Sequence, residues 1–401
     1  MAHDRLVATA LAQRVRRHYL SPVTTAPTPA QNSPTMPVSA WACPLLALVF
    51  FAAATVMGLG GTFVATGAGL VFAALLIPIL LGAVFAAVYH AEVIARRTGE
   101  PYGTLVLTIA VTVIEVALIT SILLSEGGGS ATIARDTVFA VVMIVCGGLV
   151  GLCIFVGGWH HREQSFRVTG AAAYLAVLMS MCVLTLVLPN TTQSAPGPLY
   201  STSQLAFVSA VTTALYGVFL YIQTVRHRDD FMISVARKSA PPPHAHPRPS
   251  NASVAFSGVL LLVSLAGVIA LAKKFAAVAE AATTALDAPV AAVGVIVALL
   301  ILLPEGVAAV QAARRNELQK SINLALGSSL ATIGLTIPAV AVLSIVRGHD
   351  LVLGLAPKDT LLLFLVLGVS LLTFGTGRTN ILFGFVHLVI FATFMFLTFV
   401  P

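Results

Sequence analysis

Residues 289–312 read PVAAVGVIVALLILLPEGVAAVQA, an apolar run in which Glu305 is the one charged residue. A run of this length crosses a bilayer as an α-helix. Arg314 and Arg315 follow directly and mark the end of the crossing. A carboxylate deep inside such a helix costs roughly 2.5–3.5 kcal/mol on insertion scales, so Glu305 is expected to serve a function.

The rest of the chain has the same character. Of its 401 residues, 58% are hydrophobic and only 9% are charged, whereas soluble proteins carry about 25% charge. This composition excludes a soluble globular protein. We predict an all-α membrane protein with about 11 transmembrane helices. The predicted spans are 41–59, 68–94, 104–124, 137–158, 168–188, 203–224, 253–274, 289–312, 321–346, 360–375 and 381–400.

The distribution of Lys and Arg predicts the orientation. With the N-terminus inside, the cytoplasmic segments hold 17 of the 22 Lys and Arg residues, and the opposite side holds 5. Because positive residues are retained on the cytoplasmic side, we expect a multi-pass protein of the bacterial inner (plasma) membrane with a cytoplasmic N-terminus. The net charge of +7 then belongs to cytoplasmic loops, and no nucleic-acid partner is predicted.

Five segments are predicted along the chain. Residues 1–40 are basic and then rich in Thr and Pro, which indicates a disordered cytoplasmic tail and no signal peptide. Residues 41–59 form an extra N-terminal helix. A Pro- and His-rich cytoplasmic linker, 225–252, separates a first five-helix repeat, 68–224, from a second, 253–401.

The two halves match in the spacing of their acids. Glu92 and Glu115 are 23 residues apart, and Glu280 and Glu305 are 25 residues apart. Five helices is an odd number, so the second copy is inverted relative to the first. Inverted repeats are typical of secondary transporters, whose substrate site lies near the midplane between the halves.

The neighbours of the two deep acids are suited to binding an ion. Thr108, Thr112 and Glu115 are spaced i, i+4 and i+7, on one face of their helix. Pro304 interrupts the hydrogen-bond ladder of its helix and can free a carbonyl near Leu300.

The span 321–346 is rich in side-chain oxygens. Two carboxylates with neutral oxygens suit a hard cation such as Ca²⁺, and the same carboxylates can hold protons instead. We therefore predict that Glu115 and Glu305 bind the transported cation or protons. The expected pathway-lining residues are Thr108, Thr112, Asn323, Ser328, Ser329 and Thr332, with Thr336 on the same helix. Glu92 and Glu280, near opposite membrane faces, are interpreted as entry points or proton relays, or else as solvated charges at helix ends.

Three motifs carry a resemblance to a known family. The first is HAEVIARRTGEPYGTLVL at 90–107 with VIEV at 113–116. The second is LPEGVAAVQAARRNELQKSINLALGSSLATIGLTIP at 303–338, and the third is GRTNILFG at 377–384, with His387 following. Together they resemble the bacterial Cha-type calcium/sodium–proton antiporters of the cation/calcium exchanger superfamily, over about residues 40–400.

The resemblance implies an exchanger fold with ten core helices in two inverted five-helix repeats plus one N-terminal helix. It implies that Glu115 and Glu305 are the essential paired acids, and that Ser328 and its neighbours line the pathway. The expected function is secondary active transport, exchanging cytoplasmic Ca²⁺ for protons by alternating access. The alternative is a Na⁺ or K⁺/proton antiporter of the same fold. The expected partners are these ions and the lipid bilayer, no cofactor is expected, and the oligomeric state stays open.

Two other classes of function are disfavoured. An intramembrane enzyme would carry a motif such as HExxH or GxGD, or a serine nucleophile with a His/Asp pattern, and the sequence shows none of these. A channel would carry a filter-like loop or a ring of pore charges, and neither is evident. The chain is therefore not expected to be an enzyme.

Overall fold

The computed structural model describes residues 36–59, 66–99, 102–123, 131–232 and 249–400. Within these ranges, 11 helices are long and apolar enough to cross a membrane, which confirms the predicted number. In chain order they are α1 Val38–Val56, α2 Gly67–Thr98, α3 Tyr102–Leu123, α4 Ile133–His161, α5 Val168–Thr191, α6 Thr202–Arg226, α7 Asn251–Ala285, α8 Ala291–Arg314, α9 Leu318–Arg347, α10 Pro357–Phe374 and α11 Ile381–Phe399.

The end of α7 differs from its prediction. The helix continues to Ala285, whereas the sequence placed its end at residue 274, because Lys273 and Lys274 were taken to lie outside the membrane. The stretch after these lysines is rich in alanine, the strongest helix former, so the helix continues. Lys274 Nζ donates a hydrogen bond to the Leu59 carbonyl at 2.7 Å and lies 5.5 Å from the centroid of the Phe51 ring. Lys274 therefore ties α7 to the end of α1.

The predicted tail and linker fall largely outside the described residues. Of the tail 1–40, residues 1–35 lie outside, and α1 begins at Val38. Of the linker 225–252, residues 233–248 lie outside. Its first residues complete α6 and form a single helical turn at Arg228–Phe231, and its last residues begin α7, where the Ser250 side chain caps the helix by accepting from the Ser253 amide.

Helices α1, α2 and α7 pack against one another. His90 of α2, fully buried, forms a 2.8 Å hydrogen bond through Nε2 to the carbonyl of Ala40 in α1. A Cβ added to Gly267 of α7 would lie 3.1 Å from the Cβ of Ala47. Small residues thus let the α1 and α7 backbones approach closely, as is common for helices in membranes.

The helix ends divide between two faces. Four helices end in arginines on one face, which is called the basic face below; these residues are Arg96, Arg162, Arg226 and Arg314. Two short strands also lie there and modify the all-α prediction: β1 (Glu163–Ser165) follows α4, β2 (Arg378–Asn380) follows α10, and they pair antiparallel. On the opposite face, the α5–α6 and α9–α10 connections are joined by a bridge between Leu199 and Val352.

Helices α4 and α9, which occupy equivalent positions in the two repeats, each contain a π-helical segment in the middle. The segments are Ile144–Leu149 in α4 and Thr332–Thr336 in α9. Such segments are rare and often occur at functional sites. The α4 segment packs against α8, and the α9 segment packs against α3. Each π segment therefore contacts the acid-bearing helix of the other repeat.

Helices α4 and α11 approach so closely that glycine is required on both. A Cβ added to Gly151 of α4 would lie 2.9 Å from the Cβ of His387. A Cβ added to Gly384 of α11 would lie 2.7 Å from the backbone nitrogen of Phe155. Because backbone atoms cannot rotate away as a flexible side chain can, a methyl group here would force the two helices apart.

We expect Gly384→Ala to destabilise the protein by about 1–3 kcal/mol, the usual cost of overpacking. Thermal unfolding of the purified protein in detergent measures this change. Gly368→Ala in α10 is the matched control, because nothing lies within 4 Å of its added Cβ. Equal melting temperatures for the two variants would contradict the close approach of α4 and α11.

Candidate ion-binding site

Glu115 is buried, and residues of the second repeat donate hydrogen bonds to its carboxylate. The residue is only 1% exposed. The hydroxyls of Thr332 and Thr336 donate hydrogen bonds to its Oε2 at 3.1 and 2.7 Å. Its Oε1 is buried and has no hydrogen-bond partner. One carboxylate oxygen is therefore fixed in place, and the other is available to a proton or an ion.

The π segment that supplies these hydroxyls is supported by α6. The Thr213 hydroxyl donates to the Gly334 carbonyl at 3.1 Å, which satisfies a backbone group in the segment. A Cβ on Gly334 would lie 2.6 Å from the Cβ of Tyr216. Glycine at 334 thus lets α6 press against the segment, and the hydroxyls of Thr332 and Thr336 are positioned from behind.

Glu305 has a different environment. It is half-buried in α8, directly after Pro304, and its Oε2 is buried without a hydrogen-bond partner. The π segment that packs against α8, Ile144–Leu149, reads IVCGGL and contains no hydroxyl, amide or carboxylate. Glu305 therefore lacks the two hydroxyl donors that hold Glu115, although the repeats place both acids equivalently.

A cavity of about 240 Å³ leads to this site. Helices α3, α6 and α9 each contribute one face to its wall, with residues spaced three or four apart, and α5 and α8 contribute one residue each. The lining residues are Thr104, Leu107, Thr108 and Val111; Tyr216, Phe219, Leu220 and Gln223; Lys320, Asn323, Leu324, Gly327, Ser328 and Ala331; Tyr174; and Glu305.

The cavity runs inward from the basic face. Thr104 and Lys320 lie in the first turns of α3 and α9 at this face. From Lys320 to Ala331 the lining advances along α9 by about 16 Å, at 1.5 Å per residue. Ala331 directly precedes Thr332, the donor to Glu115. The cavity therefore reaches Glu305 and ends beside Glu115, which lies just beyond its floor.

The predicted pathway residues have three different placements. Thr108 and Ser328 line the cavity, and Thr332 bonds Glu115. Thr112 is half-buried and Ser329 is fully buried, and neither lines the cavity.

Asn323 also lines the cavity, but its amide is already engaged. Its Nδ2 donates to the Phe231 carbonyl at 2.6 Å, and its Oδ1 accepts from Gln319 at 2.9 Å. Asn323 therefore holds the helical turn after α6 in place, and its side chain has little capacity left for an ion.

The two predicted relay acids lie away from the cavity wall. Glu92 is exposed near the basic end of α2, and Glu280 is half-buried near the opposite end of α7. Neither lines the cavity.

The structure adds residues that were not among the predicted pathway set. Thr336 is the closer hydroxyl donor to Glu115, and Lys320 lines the cavity. The Tyr174 hydroxyl accepts from Gln223 Nε2 at 2.6 Å in the cavity wall. The signal for α6 was present in the sequence, since Tyr216 and Gln223 are seven residues apart and share one helical face. Within the described ranges, no group of three or more His, Cys, Asp or Glu side chains forms a metal site.

The comparisons with known proteins agree with this architecture. The model of the family described as sodium/calcium exchanger protein matches residues 67–225 and 256–400. The chain belongs to this family and is a multi-pass membrane protein.

Three similar proteins illustrate the relationship. A putative ionic transporter, y4hA, of Sinorhizobium fredii is 49% identical over 323 residues, covering 80% of this chain and 87% of the relative. The sodium-potassium/proton antiporter ChaA of Escherichia coli is 38% identical over 316 residues, covering 79% and 85%. The structure of native YfkE superposes with a TM-score of 0.68 at 16% identity, covering 91% of this chain and 99% of that one, which shows the fold. The chain is therefore a cation exchanger, and its relatives are transporters.

We expect Thr336→Val to lower the melting temperature, because Glu115 loses its shorter hydrogen bond while remaining buried, at a cost of about 1–3 kcal/mol. Thr336→Ser keeps the hydroxyl and is the matched control. In a Glu115→Met background the Thr336→Val change should cost much less, since the carboxylate is gone. Additive effects in this double-mutant cycle would contradict the hydrogen bond.

Two adjacent serines test the position of the cavity. All of the free cysteines are first replaced, namely Cys43, Cys146, Cys153 and Cys182. In that background a cysteine replacing Ser328 should react with a membrane-impermeant maleimide. A cysteine replacing its neighbour, Ser329, should react much more slowly, because that side chain is fully buried. Equal labelling of the two positions would contradict the cavity described above.

Proposed function

We propose that this protein is a secondary active antiporter that exchanges a cytoplasmic cation for protons through Glu115 and Glu305. The observation that carries the proposal is the cavity that leads from the basic face to Glu305 and ends beside the enclosed Glu115. Membership of the exchanger family supports it. Among the described residues, these two acids are the groups at the end of this cavity whose charge changes when they bind a proton.

The exchange follows from charge balance. Each buried carboxylate needs a neutralising partner, which is either a proton or part of a bound cation. When a cation arrives through the cavity at Glu305, protons equal in number to its charge must leave the pair: one for Na⁺ or K⁺ and two for Ca²⁺. When the cation leaves on the other side, protons must replace it. Binding of the two is therefore mutually exclusive, which couples their fluxes.

The repeat architecture supports alternating access. Glu115 lies in one repeat and its hydroxyl donors in the other, so the site is assembled from both halves. Movement of one half relative to the other can close the cavity at the basic face and open one on the opposite face, while the acids stay near the midplane.

The orientation is part of the proposal. We infer that the basic face is cytoplasmic, because 17 of the 22 Lys and Arg residues belong to it by the predicted topology. The protein would then lie in the bacterial inner membrane with its N-terminus in the cytoplasm, and the cavity would be open to the cytoplasm.

Two observations favour different cargo ions. The paired carboxylates with the hydroxyls of Thr332 and Thr336 are hard oxygen ligands that suit Ca²⁺. The 38% identical relative is described as a sodium-potassium/proton antiporter, which supports Na⁺ or K⁺. Both are cation–proton exchange at the same pair of acids.

Everted membrane vesicles test the proposal. Respiration acidifies their interior, and added Ca²⁺, Na⁺ or K⁺ should release protons through the wild type, as a pH-sensitive dye reports. Glu115→Gln and Glu305→Gln should abolish this release at equal expression, because glutamine cannot exchange a proton. Glu163→Gln, at an exposed acid in β1, is the matched control and should retain exchange.

Three results would contradict the proposal. The first is that no cation collapses the gradient in well-expressed wild type. The second is cation flux without proton counterflow, which would indicate a channel. The third is exchange at the wild-type rate by the two acid variants.

A further inference from the structure

Lys320 carries a positive charge in the cavity lining. Of the described residues that line the cavity, only Lys320 and Glu305 are charged at neutral pH. Glu305 lies at the deep end and Lys320 at the mouth, in the first turn of α9. A cation bound for Glu305 must therefore pass an ammonium group, which is unexpected in a pathway for cations.

The charge of Lys320 is not neutralised by a neighbour. Among the described residues its side chain forms no ion pair, although Glu317 lies one turn before it. The lysine is exposed, so folding does not require it to fill space. It also lies at the positive end of the α9 dipole, where a cation is unfavourable. The N-terminal end of the α9 dipole and the Lys320 ammonium group therefore both make the electrostatic potential at the mouth of the cavity more positive.

We propose that Lys320 is a specificity-determining residue that favours monovalent over divalent cations at this site. The inference rests on the proposed function, and it deepens it by naming the class of cargo. Electrostatic energy is proportional to the charge of the ion, so the penalty for a divalent ion is twice that for a monovalent ion. In equilibrium constants, the divalent factor is the square of the monovalent factor.

The expected size follows from this relation. About 16 Å along α9 separates Lys320 from the deep end of the cavity. At an effective dielectric constant of about 20 and a Debye length of about 10 Å, its ammonium weakens monovalent binding by about 1.4-fold and divalent binding by about twofold. Lys320 thus lowers the affinity for every cation but shifts the ratio towards Na⁺ and K⁺. Glu115 and Glu305 can still ligate Ca²⁺, and the lysine makes that ligation less favourable.

Protons compete for the same acids and can hide this effect. A proton carries the same charge as Na⁺, so Lys320 weakens the binding of both by a similar factor. The ratio of the two affinities therefore hardly changes while the site is protonated. The measurement therefore needs a pH at which further alkalinisation no longer changes the apparent cation affinity. There the acids are unprotonated, and the effect on the cation appears in full.

The test uses the purified full-length protein and two readouts. Cation-dependent increases in melting temperature report binding without transport, and proteoliposomes report exchange. Lys320→Gln should lower the half-saturating concentration of Na⁺ and K⁺ by about 1.4-fold and that of Ca²⁺ by about twofold. Lys320→Arg keeps the charge and should keep the wild-type ratio. Arg315→Gln removes an exposed charge on the same face, outside the cavity lining, and should leave the ratio unchanged.

Added inert salt gives a second check. The difference between wild type and Lys320→Gln should shrink as ionic strength rises, because the mouth is open to solvent. A volume effect of the lysine side chain would not depend on salt in this way.

The outcomes separate the two proposals. Binding without exchange in the wild type overturns the antiport proposal and still tests Lys320. The inference about Lys320 is overturned if Lys320→Gln changes the half-saturating concentrations of monovalent and divalent ions by equal factors. It is also overturned if Arg315→Gln changes them as much as Lys320→Gln does. A wild type that no cation stabilises at any concentration overturns both.

Discussion

The hydrogen bonds from Thr332 and Thr336 to Glu115 are the contact on which the site depends. Through them, a helix of the second repeat fixes the position of a carboxylate that belongs to the first repeat. A buried carboxylate without such partners would be expensive to hold. The need to pair this buried carboxylate explains three features together. They are the π segment in α9, the glycine at 334 that lets α6 pack against the segment, and the hydrogen bond from the Thr213 hydroxyl to the Gly334 carbonyl.

Close backbone approach is the second constraint. Apolar side chains gain little by leaving lipid for a protein interior, so helices in a membrane associate through tight packing and satisfied polar groups. Gly151 and Gly384 bring α4 and α11 together at backbone distance. His90 and Lys274 tie α1 to α2 and α7 by bonds to carbonyls. These helices are thus held together by contacts that are largely backbone to backbone or side chain to backbone.

Much of this architecture could be predicted from the sequence, and the reasons are physical. Hydrocarbon thickness sets the length of an apolar run, so 11 runs predicted 11 helices. The cost of a charge in lipid singled out Glu115 and Glu305.

The limits of prediction from the sequence are equally physical. Lys274 was predicted to end α7, but a tertiary contact at Leu59 holds it within the helix. Thr336 and Glu115 are 221 residues apart in the chain, and no local pattern reports such a pairing. Asn323 was a predicted pathway residue whose amide is taken up by Phe231 and Gln319, which only the packed structure reveals.

The two π segments have a consequence for the direction of exchange. One offers two hydroxyls to an acid, and the other, IVCGGL, offers none, so the halves of a duplicated chain have become chemically unequal. In the alternating-access cycle proposed above, the inward-open and outward-open forms would then not be mirror images, and the barriers on the two sides of the cycle would differ. The final distribution of ions is still set by the two gradients alone, because a catalyst cannot move an equilibrium. What the asymmetry changes is kinetics: at equal driving force, net exchange can run faster one way than the other.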